Sequence, residues 1–273
     1  MNERVIVSLT TYNKRIDNIP IVLDTIFSQT ICPDLVVVNL AFGEFIPERV
    51  QRYVDSHNIE VHFVKDTKVY KKLIPTLKRY PRDCVISIDD DFLYPKAMIE
   101  DFVTIHNRCP QYPISGNSFV LYGMQCHCGC ASLTKADFLG RYLEQIDDSI
   151  ISNCPSDDMV YSFFSNMNEH PYIRTKAQYF NNMQSFNLVE SYPSTVVRDK
   201  GVESTYNYLI RKFGKCPDNI WHYYNCGYDS IVDDIIQSYI NMGRGDVRST
   251  ITYRVGEMLL KPIELVNRLV SSK

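Results

Sequence analysis

Hydrophobic and polar positions in the first hundred residues switch between two periods in a regular order. "RVIVSLTTY" (4–12) is a β-branched apolar run and predicts a buried strand. "IVLDTIFSQT" then has helical spacing, with Asp17 or Asn18 expected to cap it and Pro20 accommodated in its first turn. "DLVVVNL" (34–40) predicts a second buried strand, Pro47 opens a helix through "PERVQRYVDSH", and "IEVHFV" (59–64) alternates as a third strand. "KKLIPTLKRY" predicts a short helix bent at Pro75. "CVISID" (84–89) is the fourth predicted strand, and "PKAMIEDFVTIHNRC" a helix starting at Pro95.

Strands alternating with helices imply parallel pairing and helices on both faces of the sheet, hence an α/β fold. In such sheets ligands sit beyond the carboxyl ends of the strands. The aspartates at 89–91, the loop "TTYNKR" and the pair Lys65-Asp66 all fall at such ends. The second half is less regular. "NSFVLYGMQCHCGCASL" predicts one or two strands, "KADFLGRYLEQI" a helix, and "SDDMVYSFFSNM" another helix capped by Ser156. The reading divides the chain into a core over residues 1–180 and a helical C-terminal extension over 181–273. That extension ends in "YRVGEMLLKPIELVNRLV", helical in spacing but interrupted at Pro262. Arg244, Arg248, Arg254, Lys261, Arg268 and Lys273 make it basic, which suits an anionic membrane surface and packing on protein equally.

Composition narrows the partners. At 273 residues with 45% hydrophobic positions, the chain is long enough for one large core. A net charge of -3 argues against nucleic acid as the main partner. The nine cysteines are odd in number and lack the spacing of a disulfide framework, and no leader-like segment opens the sequence, so a reducing, cytoplasmic setting is expected. The longest apolar run, "LVVVNLAF", is short of the roughly 18 residues that span a bilayer.

Two acidic clusters carry the candidate chemistry. Carboxylates at i and i+2 leaving a strand, here Asp89 and Asp91, can converge on one hard cation whose coordination phosphate oxygens and water complete. Asp90 between them is expected to face the other way. Asp157 and Asp158 open the helix capped by Ser156, where acids favour the helix dipole; the sharper reading makes one a general base. "CHCGC" puts three thiols on one strand face with His127 on the other, and no second distant pair accompanies it, so zinc is rejected there. No Gly-rich dinucleotide fingerprint, P-loop or nucleophile elbow occurs.

With these residues in view, the chain resembles the bacterial GT-A glycosyltransferases related to family 2, the capsule and lipopolysaccharide enzymes. The likeness rests on "VSLTTYNKRIDNIPIVLDTIFSQTICPD", on "DTKVYKKLIPTLKRYPRDCVISIDDDFLYP" with its DXD motif, and on "CPSDDMVYSFF", spanning residues 4–175. It implies a Rossmann-like, mostly parallel sheet sandwiched by helices, a UDP-linked sugar donor, a glycan or lipid-linked acceptor, and Mn²⁺ or Mg²⁺. Carried onto this chain, it makes Asp91 the principal metal ligand and puts Asp89 near the ribose and cation. Thr10, Tyr12, Arg15, Asp66 and Lys72, with Asp90 beside them, would form the nucleotide site. Asp158 would be the base of an inverting transfer, with Asp157 in reserve, and His222 a further metal ligand. The resemblance also implies work on surface polysaccharide at the inner face of the cell membrane, and leaves an oligomer open.

The chain departs from relatives in Met159-Val160-Tyr161, where Ile-Trp and an aromatic are usual, and in "MQCHCGCASL", where a Gly-rich segment is usual. Two other readings stand beside this one. A nucleotidyltransferase would need a nucleoside triphosphate and release pyrophosphate. A non-catalytic carbohydrate- or membrane-binding subunit would tolerate loss of Asp89 and Asp91.

Overall fold

In a computed structural model, the described residues are 3–12, 15–116, 118–121, 124–127, 131–175, 184–185 and 195–217. The β-branched runs form the strands expected of them: β1 (Val5–Thr10), β2 (Leu35–Ala41), β3 (Ile59–Val64) and β4 (Cys84–Ile88). They pair in parallel in the order β4-β1-β2-β3, with Val7 beside Val36 and Ile86. All seven side chains of β2 are buried, because helices cover both its faces, whereas edge strand β3 stays partly exposed.

The helices alternate with these strands: α1 (Ile19–Phe27), α2 (Glu48–Asp55), α3 (Ile74–Arg79) and α4 (Met98–Arg108). Three starts differ from the expectation. Neither Asp17 nor Asn18 caps α1 through its side chain; a 3-10 turn, Ile16–Asn18, leads into the helix, and Asp17 pairs with Arg49 instead. Pro75 does not bend a helix, because the segment breaks into a 3-10 turn, Lys68–Lys72, and α3, in whose first turn proline lacks only a hydrogen bond that is unmade anyway. Helix α4 begins three residues after Pro95, whose carbonyl accepts the Met98 N–H.

Beyond α4 the chain widens the sheet. A two-residue strand, β5 (Phe92–Leu93), lies outside it. Strand β6 (Ile114–Ser115) is followed by the hairpin β7 (Ser118–Leu121) and β8 (Met124–His127), then by β9 (Ala131–Thr134), so the segment read as one or two strands holds three. Strand β9 runs antiparallel to both β4 and β6, and β10 (Ile173–Arg174) adds in parallel to β6, completing seven strands in the order β10-β6-β9-β4-β1-β2-β3. The mostly parallel α/β sheet is therefore present. Strand β11 (Gln184–Ser185) pairs with β5.

Short helices α5 (Ala136–Leu139) and α6 (Asp148–Asn153) precede α7 (Asp157–Met167). The helix expected through "KADFLGRYLEQI" stops at Gly140, whose φ of +53° suits glycine and not a continuing helix. Helix α7 starts where expected, with the Ser156 hydroxyl accepting the Met159 N–H. Helix α8 (Thr195–Phe213) packs Tyr206 and Leu209 into the cluster of Phe163 and Phe164 from α7, so it shares the core of the residues before 180. The basic C-terminal segment and His222 lie outside the described residues. No helix among the described residues is long and apolar enough to cross a membrane.

Candidate functional site

The acidic turn is set by strand β4 and by its own sequence. Asp89–Asp91 follow Ile88, and the Tyr94 hydroxyl staples the turn by accepting the Asp89 N–H at 2.8 Å and donating to the Asp89 carbonyl at 3.0 Å. Tyr94 is buried, so the "FLYP" that follows the acids acts as their mount.

Two cations from other strand ends hold the acids. Arg15, in the loop after β1, bridges Asp90 at 2.5 Å and Asp91 at 2.8 Å while lying over the Tyr12 ring. Lys72 reaches Asp89 at 3.1 Å, Asp157 at 3.2 Å and Asp158 at 4.0 Å, so one buried ammonium joins both acidic clusters. Its backbone is anchored from below: the Ser8 hydroxyl donates to the Lys72 carbonyl at 2.6 Å, and Ser8, Asn39 and Thr76 form a buried polar network. Those polar residues, two in the middle of apolar strands and Thr76 on α3, serve to place this lysine.

Helix α7 supplies Asp157 and Asp158 in its first turn, where the dipole favours carboxylates. Burial holds the Asp157 carboxyl above its usual range, with Lys72 opposing and Asp158 adding to the shift. Burial likewise pushes Asp90 up to about 6 and raises Asp91, with Arg15 opposing in both cases. Five carboxylates meet two permanent cations, leaving a local excess of three negative charges.

Sequence reasoning missed His127. It is fully buried on β8, with Nε2 3.1 Å from Asp158 Oδ1 and Nδ1 3.1 Å from the Ser115 hydroxyl. Its ring stacks on Tyr172 at 5.3 Å, and its N–H donates to Ser162, whose hydroxyl donates in turn to the Asp158 carbonyl. The only signal in the sequence was its placement opposite the cysteine face. Tyr161, also fully buried, has a hydroxyl with no hydrogen-bond partner among the described residues; burial and then the charge of Asp157 raise it well above the usual phenol.

The remaining expected residues are less central. Thr10 donates to the Asn39 carbonyl at the end of β1. Asp66 is exposed and held by Lys71 at 2.5 Å and by the Lys68 N–H at 3.0 Å. An open groove lined by His62, Val64, Pro75, Lys78 and Arg79 lies along β3 and contains none of these acids.

A divalent cation fits the acidic turn. Asp91 Oδ1 is buried without a hydrogen-bond partner among the described residues, and hard carboxylate oxygens suit Mg²⁺ or Mn²⁺. Asp89 is the more exposed acid beside it. Among the described residues no third protein ligand joins these two, so a diphosphate and water would complete the coordination.

No family model matches the sequence, and no curated protein sequence does. Solved structures do match. The mannosyltransferase PcManGT from Pyrobaculum calidifontis, in complex with GDP-Man and Mn²⁺, aligns with TM-score 0.59 at 16% identity over 97% of this chain and 83% of its own. The chain shares the fold of this mannosyltransferase. Two structures of S. aureus TarS align over 91% of the chain. TM-score is 0.51 at 13% identity, over 45% of the longer TarS chain, and 0.50 at 12%, over 76% of residues 1–349 bound to UDP-GlcNAc.

Proposed function

We propose that the chain is a glycosyltransferase that moves a sugar from a nucleotide-sugar donor, UDP-linked on the motif resemblance, to a hydroxyl of a glycan or lipid-linked acceptor. The observation that carries this reading is the joining of the DXD turn to the acids of α7 through one buried lysine, at the carboxyl edge of a glycosyltransferase-like sheet. The complexes of PcManGT with GDP-Man and Mn²⁺ and of TarS with UDP-GlcNAc support a nucleotide-sugar donor.

On this reading, Asp91 and Asp89 hold a divalent cation that offsets charge on the departing diphosphate. Arg15 keeps Asp90 and Asp91 fixed before the donor arrives, and Tyr12, under its guanidinium, flanks the nucleotide. Asp158 takes the proton of the acceptor hydroxyl as that oxygen attacks the anomeric carbon in line, which inverts the configuration. His127 and Lys72 lie close to the same Asp158 oxygen and keep the carboxylate oriented. Asp157, more deeply buried against Lys72, is the poorer base and the better scaffold. Synthesis of surface polysaccharide at the cytoplasmic face of a membrane, reached through the basic C-terminal segment, is the cellular setting that the motif resemblance suggests.

The test is a panel of UDP- and GDP-sugars scored by thermal stabilisation, with and without Mn²⁺. A ligand that binds the folded state raises Tm with its affinity. One donor is expected to shift Tm in a cation-dependent way, and the shift to vanish in Asp91→Asn. Asp158→Asn is expected to keep the shift and lose transfer. A panel with no shift would remove the reading; transfer by Asp158→Asn at the parent rate would remove only the assigned base.

A further inference from the structure

At the other end of strand β4 stands a cluster that the proposed transfer does not use. Glu3 precedes β1, Cys84 is the first residue of β4, and His106 lies in the last turn of α4. Cys84 Sγ is 3.4 Å from His106 Nε2 and 3.3 Å from Glu3 Oε2, and the latter two atoms are 3.2 Å apart. Cys84 and His106 are buried, while Glu3 is exposed and opens the cluster toward solvent.

These three separations are informative. In a tetrahedral zinc site the bonds are about 2.3 Å to sulfur, about 2.05 Å to imidazole nitrogen and about 2.0 Å to carboxylate oxygen. Tetrahedral angles then put sulfur about 3.5 Å from either lighter ligand, and nitrogen about 3.3 Å from oxygen. The three groups now hydrogen-bond to one another, and their triangle agrees with those separations to about 0.2 Å on each edge, so an ion could enter with little movement of the side chains. One sulfur, one imidazole and one carboxylate form a borderline-soft set, which favours zinc over Mg²⁺ or Ca²⁺. Lys135 also pairs with Glu3, but through Oε1, which leaves Oε2 for an ion.

A reactive thiol is the competing use of such a cysteine. Burial and then the Glu3 carboxylate push the Cys84 thiol up to about 12, so without a metal it stays a protonated, poor nucleophile.

We propose that Glu3, Cys84 and His106 form a zinc site with water as fourth ligand, tying the segment before β1 to β4 and α4. On binding, the sulfur–hydrogen bond of Cys84 gives way to a sulfur–zinc bond and the proton leaves to solvent. Cys84 and Asp89 are five strand residues apart, so this ion would sit about 17 Å from the acidic turn.

Cobalt(II) reports the site without any catalytic assay. The full chain, stripped with chelator and titrated with Co²⁺, is expected to develop a near-ultraviolet thiolate-to-cobalt band at one equivalent, which Zn²⁺ then abolishes. Asp91→Asn should leave the band intact, and Cys84→Ser should remove it. Should Cys84→Ser fold poorly, His106→Gln keeps the thiol and is expected to weaken Co²⁺ binding by at least the ~10- to 100-fold that loss of a supporting partner costs. Absence of the band, its persistence in Cys84→Ser, or unchanged affinity in His106→Gln would each overturn the assignment.

Discussion

Lys72 shows how one side chain can hold a site together and also govern its stability. Its ammonium is buried among Asp89, Asp157 and Asp158, and burial alone would favour the neutral amine. The carboxylates reverse that preference and hold its pKa well above the ordinary lysine value. Lys72→Met should therefore leave Asp157 as a buried charge without its compensating cation, at a cost of about 3–5 kcal/mol. Adding Asp157→Asn removes that charge and should restore most of the loss, a coupling that urea unfolding of the two single variants and the double variant measures. Equal stability of Lys72→Met and the parent would show that the ion pair with Asp157 carries no such weight. Sequence reasoning placed Lys72 beside a phosphate, because a cation after a strand suits one. Its tie to Asp157 was not legible, since 85 positions separate the two and only the completed sheet brings them together. His127 was hidden for the same reason: alternation along β8 said which way it pointed, not that Asp158 would be there.

Among elements, those whose signal is local were legible and those that depend on neighbours were not. Strand β3 and helix α7 matched their expected boundaries because alternation, a Ser156 cap and first-turn acids are written in consecutive residues. The break after α5 is a tertiary matter. Gly140 has φ +53°, and a Cβ there would lie 2.6 Å from Asn168 Nδ2, just past the end of α7. That amide donates to the carbonyls of Asp137 and Phe138, so it cannot swing away without losing both bonds. Gly140→Ala should therefore combine backbone strain with displacement of Asn168, destabilising by ~1–3 kcal/mol and lowering Tm by several degrees. Such a variant should unfold with an unchanged m-value, since the fold itself is retained. A Tm equal to that of the parent would mean that α5 and α7 shift freely against each other.

For the whole molecule, the cost of assembling the acidic site should appear in global stability. The chain carries a formal charge of -3, and the acids around Arg15 and Lys72 concentrate an excess of the same size at one sheet edge. Burial raises Asp91 and Asp90 even with Arg15 between them, which means that their ionised forms weigh against folding until a further cation arrives. Asn in place of Asp91 keeps the shape and removes a charge, while Arg15 retains Asp90 as its partner. Asp91→Asn is therefore expected to be more stable than the parent in chelator at neutral pH, by about 1–2 kcal/mol, on the pattern by which sites built for a ligand are strained without it. Adding Mn²⁺ with the nucleotide-sugar that stabilises the parent should reverse the order, because only the parent can use the ion. Urea midpoints in chelator, followed by Tm with cation and donor, test both halves. A less stable Asp91→Asn in chelator would mean that Arg15 fully compensates the carboxylate, and that the acidic turn is a structural salt-bridge cluster and not a site held ready for a cation.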